Sequence, residues 1–347
     1  MTYRTEDIEA LLDEGVRNKV YPGAVWAVGD AAGVRASGVT GVLDPDEPEA
    51  KVQPGTVFDV ASLTKVLAVW PSIGALWEDS VLDLGVPLGA LWPEVSGHPV
   101  GTVTARQLLT HTAGVPLRAQ LKNLYGTDLQ IIRAGVLHEA LHRPPGGAVE
   151  YADRAALTLG YLVEYLSGQR LDQLADARTW RPLGMTSTRF GPLPAEIAAG
   201  CAPTELDQDT DTRLKGTAHD FSARLLGGVC GIAGVFTVLD DLAVFLRHML
   251  DASAAPAQVG FGAEWIAYSL TVKTNGLEPA RGLFWHPAPG TIDEQDVWVH
   301  YGFTGTSMWI SPAQDQWAVL LTNKLYYTRD RQPLTDVRNG FRQLAFA

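Results

Sequence analysis

Ser62 and Lys65 place a hydroxyl and an amine three residues apart, just after the apolar run Val57-Phe58-Asp59-Val60-Ala61. If a helix begins near Ser62, positions i and i+3 share one face. A lysine held there in its neutral form can take the serine proton, which turns a poor nucleophile into a good one. By itself the spacing carries little weight, since about one S-x-x-K is expected by chance in a chain of this length. Its meaning depends on whether the other segments supply the remaining parts of an acyl-transfer site.

The elements around this pair follow from hydrophobic period and breakers. Residues 6–19 carry Ile8, Leu11, Leu12 and Val16 at helical spacing. Gly23 to Gly29 and Gly33 to Val39 read as two short strands joined by a turn. The acid- and proline-rich stretch from Pro45 to Pro54 reads as a loop. A helix is expected from Ser62 to about Glu78. A second is expected over Thr102 to Thr110, with Thr104 as its N-cap. Residues 117–142, 154–168 and 238–250 are helix-like, and 190–215 are irregular. Val297-Trp298-Val299-His300, Ser307-Met308-Trp309-Ile310 and Trp317 to Leu321 read as strands. A helix over about Leu334 to Leu344 follows.

Strands at both ends with helices between them imply an α/β (α+β) fold. One sheet domain would be built from residues 1–70 and 235–347. A mostly helical region, 71–234, would be inserted in it.

Composition narrows the function. The chain has 347 residues, 46% hydrophobic and 19% charged, which is ordinary globular usage. A net charge of −12 and a pI near 5.1 argue against nucleic-acid binding and against anionic membranes. No apolar run reaches the length of a membrane span. Met1 to Glu9 lacks a basic segment followed by an apolar one, so no signal peptide is expected and a cytoplasmic location is. Cys201 and Cys230 fit two reduced thiols, and neither has the spacing of a zinc site. No metal or cofactor is expected. Nothing in the sequence specifies an oligomeric state.

Five segments together resemble the β-lactamase-related serine hydrolases. These comprise class C β-lactamases, D-amino-acid peptidases and family VIII esterases, which share the penicillin-binding-protein fold. The segments are Phe58 to Lys65; Val103 to Val115, which contains Leu108-Leu109-Thr110-His111-Thr112; Tyr151-Ala152-Asp153 after a Pro-Gly turn; Ala218-His219-Asp220 through Gly227-Gly228 to Phe236; and His300-Tyr301-Gly302. They span almost the whole chain and keep the family order.

The resemblance implies an antiparallel sheet flanked by helices and gives each position a role. Ser62 would be the acylated nucleophile, Lys65 its proton partner and Tyr151 the second proton carrier. The backbone N–H groups of Ser62 and Phe303 would form the oxyanion hole. Asp153, His300, Tyr301 and Gly302 would contact substrate. Trp285 and Trp309 lie in the last third and are candidates for the cleft wall.

Two departures bear on substrate. His300 stands where lactamases have a lysine that grips a carboxylate, and a histidine is mostly neutral at pH 7. Asp153 stands in place of an asparagine. It would either pair with Lys65 and raise its pKa or favour an amine-bearing acceptor. His111 and the His219-Asp220 pair are expected to order loops. Lys273-Thr274-Asn275 is a decoy for the third motif.

The expected activity is that of a serine acyl enzyme hydrolysing a small-molecule ester or amide. A transacylase passing the acyl group to an amine, as in capuramycin-type antibiotic biosynthesis, is the nearest alternative. β-Lactamase or D-aminopeptidase activity and a silent penicillin-binding-like sensor are the others.

Overall fold

The computed structural model describes residues 4–207, 209–254, 258–291 and 296–347. The first three residues of the segment read for a signal peptide lie outside that set.

Strands β1 (Gly23–Asp30), β2 (Gly33–Asp44) and β3 (Glu47–Lys51) precede the Ser62 segment. Strands β7 (His286–Pro287), β8 (Trp298–Tyr301), β9 (Ser307–Ser311) and β10 (Gln316–Thr322) come from the last third. They form one sheet in the order β3-β2-β1-β10-β9-β8-β7, antiparallel at each pairing. β1 and β10 meet at the centre with Trp26 opposite Leu320.

Both central strands are buried on both faces, which explains their near-continuous apolar runs. Alternation sorts the side chains. Ala24, Trp26, Val28, Trp309, Ala318 and Leu320 face the pair of helices Thr5–Arg17 and Gln332–Ala345, where Phe341 packs edge-on against Trp26. Burying a side chain of that size contributes roughly 1.5–3 kcal/mol. Val25, Ala27, Met308, Ile310, Val319 and Leu321 face the opposite core, which holds Phe245 and Leu246 of the helix Leu239–Leu250 and Trp70.

The expected loop after Pro45 is in part strand β3. Its charges and Pro48 are tolerated because it is the sheet edge, where one side needs no hydrogen-bond partner. The helix expected over 117–142 is two shorter helices, Leu121–Tyr125 and Leu129–His138. Gly126 breaks the run at a φ of 78°, which favours glycine, and the Asp128 carboxylate caps the second helix. Thr104 caps the helix Ala105–Leu109 through a reciprocal box with Gln107.

A second, three-stranded sheet carries the Ser62 segment. β4 (Phe58–Asp59) pairs with β6 (Val235–Thr237), which pairs in turn with β5 (Arg189–Phe190). The chain leaves β4 through a tight turn, Ala61–Leu63, then one wide π turn, Lys65–Val69, before the α-helix Trp70–Glu78. Pro71 explains the irregularity. It has no N–H and its ring crowds the carbonyl four residues back, that of Leu67. The Trp180 indole N–H donates to that Leu67 carbonyl instead, at 2.9 Å.

Candidate active site

Lys65 is fully buried, and its ammonium has three acceptors. Nζ lies 3.1 Å from Ser62 Oγ, 3.1 Å from Asp153 Oδ1 and 2.9 Å from the Ile232 carbonyl. The Ile232 contact depends on Gly231, where a Cβ would collide with the Ala156 carbonyl. Burial works against the charge on Lys65, but Tyr151 and Asp153 outweigh it, so the pKa is raised. Of the two roles open to Asp153, the structure realises pairing with Lys65. An ammonium that donates to Ser62 Oγ must first give up a proton before it can act as a base.

This pairing has a measurable consequence. Asp153→Asn removes one of the groups that hold the Lys65 proton, so the Lys65 pKa falls and its neutral form appears at lower pH. The acidic limb of the pH profile for acylation should therefore move to lower pH. An unmoved limb, or one displaced upward, would exclude Lys65 as the titrating base.

The turn into Ser62 is held from several directions. Ala61 adopts a left-handed conformation, φ 50°, unusual for a residue with a side chain. Its N–H donates to Asp59 Oδ1 at 2.9 Å. Asp59 Oδ2 accepts from the backbone N–H of His219 at 2.8 Å and lies 3.1 Å from His219 Nδ1. The His219 pair expected from sequence is thus with Asp59, while the Asp220 carboxylate caps the short helix Phe221–Leu225.

The turn between β8 and β9 is docked on this segment. Thr304 Oγ1 donates to the Asp59 carbonyl at 2.6 Å, and Thr306 Oγ1 to the Val60 carbonyl at 3.1 Å. Arg338 fixes it from behind by donating to the Gly302 and Thr306 carbonyls, each at 2.8 Å. Only glycine fits at 302, because a Cβ would strike Thr306 Oγ1 and the Val60 carbonyl. Among the described residues the backbone N–H groups of Ser62 and Phe303 have no acceptor. Both are free to serve a developing oxyanion.

Tyr151 is carried on the stretch before the helix Asp153–Ser167, and its ring lies 5.2 Å from Lys65 Nζ. His111 positions it. The ring of His111 packs on that of Tyr151 at 4.6 Å, its Nδ1 accepts from the Ala152 N–H at 3.2 Å, and its carbonyl accepts from the Glu150 N–H.

His300 is buried, and its Nδ1 donates to the Phe284 carbonyl at 2.9 Å, leaving Nε2 as a bare acceptor. Burial, with Lys65, His286 and Arg281 nearby, holds its pKa well below the ordinary value. The group is a neutral acceptor in place of a cation.

Two cavities meet at Ser62, and Tyr151, Phe303 and Arg331 also line both. One, of about 390 Å³, is walled by His300, Tyr301, Gly302, Arg281, Lys324 and Arg338. The other, of about 340 Å³, is walled by Asp153, Leu117, His219, Phe221, Ile232 and Ala233. Trp285 lines neither. It is 0% exposed and packs edge-on against Trp70 and His300, behind the wall; Trp309 lies in the core on the other face.

Sequence reasoning missed the first cavity's cations. Arg281 lies in a loop with no periodicity, and its buried Nε and Nη1 have no partner. Lys324 is pushed down to about 8, chiefly by burial and then by Arg338 and Arg331. Lys273, the decoy, lies over the Tyr268 ring instead. No group of three or more metal-ligating side chains occurs among the described residues.

A family model described as Beta-lactamase matches residues 8–340, and the chain belongs to that family. A protein of Escherichia coli (strain K12) named "Putative D-alanyl-D-alanine carboxypeptidase" is 30% identical over 319 residues, 80% of this chain and 71% of that protein. Two solved structures share the fold. The D-alanine carboxypeptidase AmpC from Burkholderia cenocepacia superposes with a TM-score of 0.77 at 19% identity, covering 97% of this chain and 98% of its own. EstCE1, titled a hydrolase with promiscuous acyltransferase activity, gives 0.77 at 18% identity, covering 99% and 98%. The antiparallel sheet flanked by helices expected from sequence is therefore the fold of this chain.

Proposed function

We propose that this protein is a serine hydrolase that cleaves a small-molecule ester or amide through an acyl intermediate on Ser62. The observation that carries the reading is Ser62 Oγ held 3.1 Å from the buried Lys65 Nζ, at the junction of two cavities. Acyl transfer to Ser62 forms the Oγ–C bond. Its proton leaves through Lys65 and Tyr151 to the departing group, while the Ser62 and Phe303 N–H groups receive the oxyanion. Water or an amine then takes the acyl group. The neutral His300 favours uncharged esters over β-lactams, whose carboxylate needs a cation at that place. The buried free thiols of Cys201 and Cys230 suit a reducing compartment and so support a cytoplasmic location. No helix among the described residues is long and apolar enough to cross a membrane.

A second reading, a carboxypeptidase for D-alanyl peptides, is favoured by Arg281. Its side chain lines the first cavity over the Tyr151 ring and supplies a cation for a terminal carboxylate. One comparison separates the two. An esterase turns over p-nitrophenyl butyrate and leaves N-acyl-D-alanyl-D-alanine intact. A carboxypeptidase releases D-alanine, and Arg281→Met raises its KM at least tenfold. Amide formed above background when an amine is added would identify transfer rather than hydrolysis.

A further inference from the structure

The second cavity contains an acid–imidazole pair that the acylation chemistry leaves unused. His219 is 5% exposed and lines this cavity together with Ser62, Tyr151 and Asp153. Its Nδ1 is engaged by Asp59 at 3.1 Å, and the same carboxylate oxygen takes its backbone N–H. Asp59 is itself buried and fixed through Ala61, so the ring is held in one orientation. With Nδ1–H donating to a carboxylate, the lone pair belongs to Nε2. Nε2 has no hydrogen-bond partner among the described residues, yet it is not among the buried unpartnered atoms. The ring stacks beside that of Phe303, whose backbone N–H has no acceptor among the described residues, with centroids 5.9 Å apart. The imidazole therefore shares with Ser62 one of the two cavities open to an acyl group on Oγ, and it is hydrogen-bonded to Asp59 rather than to Lys65.

Resting on the acyl-enzyme reading above, we infer that His219, oriented by Asp59, is the general base that activates the acyl acceptor in deacylation. His219 Nε2 takes a proton from the attacking water or amine as its oxygen or nitrogen bonds to the acyl carbon. The tetrahedral intermediate collapses by breaking the Ser62 Oγ–C bond, and Oγ is reprotonated from the Lys65 and Tyr151 side. The imidazolium then releases its proton to solvent, so nothing is oxidised or reduced. Two arrangements of bases would thus serve the two half-reactions, Lys65 with Tyr151 and His219 with Asp59. The chemistry of Asp59 fits this role: burial pushes the His219 pKa down, but Asp59, with Asp220 and Glu205, raises it overall and makes the imidazole a stronger base.

The test compares wild type with H219N and H219Q in burst kinetics on p-nitrophenyl butyrate, with intact mass of the quenched protein. Asparagine keeps a donor for Asp59 and removes Nε2. The expected result for H219N is a full burst, acylation within about threefold of wild type, and steady-state turnover lowered about 10²–10⁴-fold. The butyryl adduct should accumulate on Ser62. Hydroxylamine, a nucleophile that needs no base, should discharge that adduct as fast as it does in wild type. Turnover within threefold of wild type in either variant would overturn the role. So would burst and turnover falling together in both, which would mean that His219 only positions Asp59. Absence of any adduct in wild type would fail the acyl-enzyme reading itself, and the His219 role with it.

Discussion

Ser62→Ala should lower kcat for any ester substrate by about 10⁴–10⁶-fold and abolish the burst of leaving group, while leaving the fold intact. The size follows from the loss of the atom that is acylated. What remains is binding and the free N–H groups at residues 62 and 303, which give only a small residual acceleration. The fold survives because the hydroxyl is one of three acceptors on Lys65, and Asp153 and the Ile232 carbonyl remain. Stopped-flow kinetics and thermal melting together check both parts. Retention of more than about 1% of wild-type kcat would mean that another residue is the nucleophile.

Lys65→Met should have the next largest effect, and it should be felt in both rate and stability. Acylation loses its proton partner, a loss of about 10²–10⁴-fold. Stability falls because Asp153 and the Ile232 carbonyl lose their donor in a buried setting. Breaking a fully buried pair by removing one partner costs about 3–5 kcal/mol. Asp153 is 25% exposed, so water recovers part of this and the expected loss is smaller. The double variant K65M/D153N should melt at a higher temperature than K65M alone, since it removes the orphaned carboxylate. If K65M were the more stable of the two, the 65–153 pair would not be the main interaction at this position.

The meeting of Ser62, Lys65 and Tyr151 was legible in the sequence because each sits in a short, ordered motif. Their spacing along the chain also survives folding: Ser62 and Lys65 are brought together by a single helical turn. The sheet was legible because its central strands are covered on both sides and so read as unbroken apolar runs. β3 was not, because an edge strand tolerates the charges and proline that otherwise mark a loop. The π turn at Lys65–Val69 was hidden for a different reason. Pro71 announces a missing donor, but Trp180, which satisfies the stranded Leu67 carbonyl, lies more than a hundred residues away.

The same distance effect concealed much of what holds the site in place. Asp59 stood in the sequence only as a member of the apolar run before Ser62, and folding buries it. Its partner, His219, is 160 residues on, and only folding shows that it is Asp59 rather than Asp220 that holds the imidazole. Arg338 carries no motif at all; it matters because the last helix passes behind the Gly302 turn. Trp285, by contrast, suggested itself for the cleft through its place in the last third of the chain, and packs between Trp70 and His300 behind the wall.

The acyl-enzyme claim is tested most directly by intact-mass analysis of the folded protein after reaction with a fluorophosphonate, followed by peptide mapping. One adduct per chain, placed on Ser62 and absent from Ser62→Ala, is the predicted result. An unlabelled wild-type protein, or a label on any other residue, would contradict it.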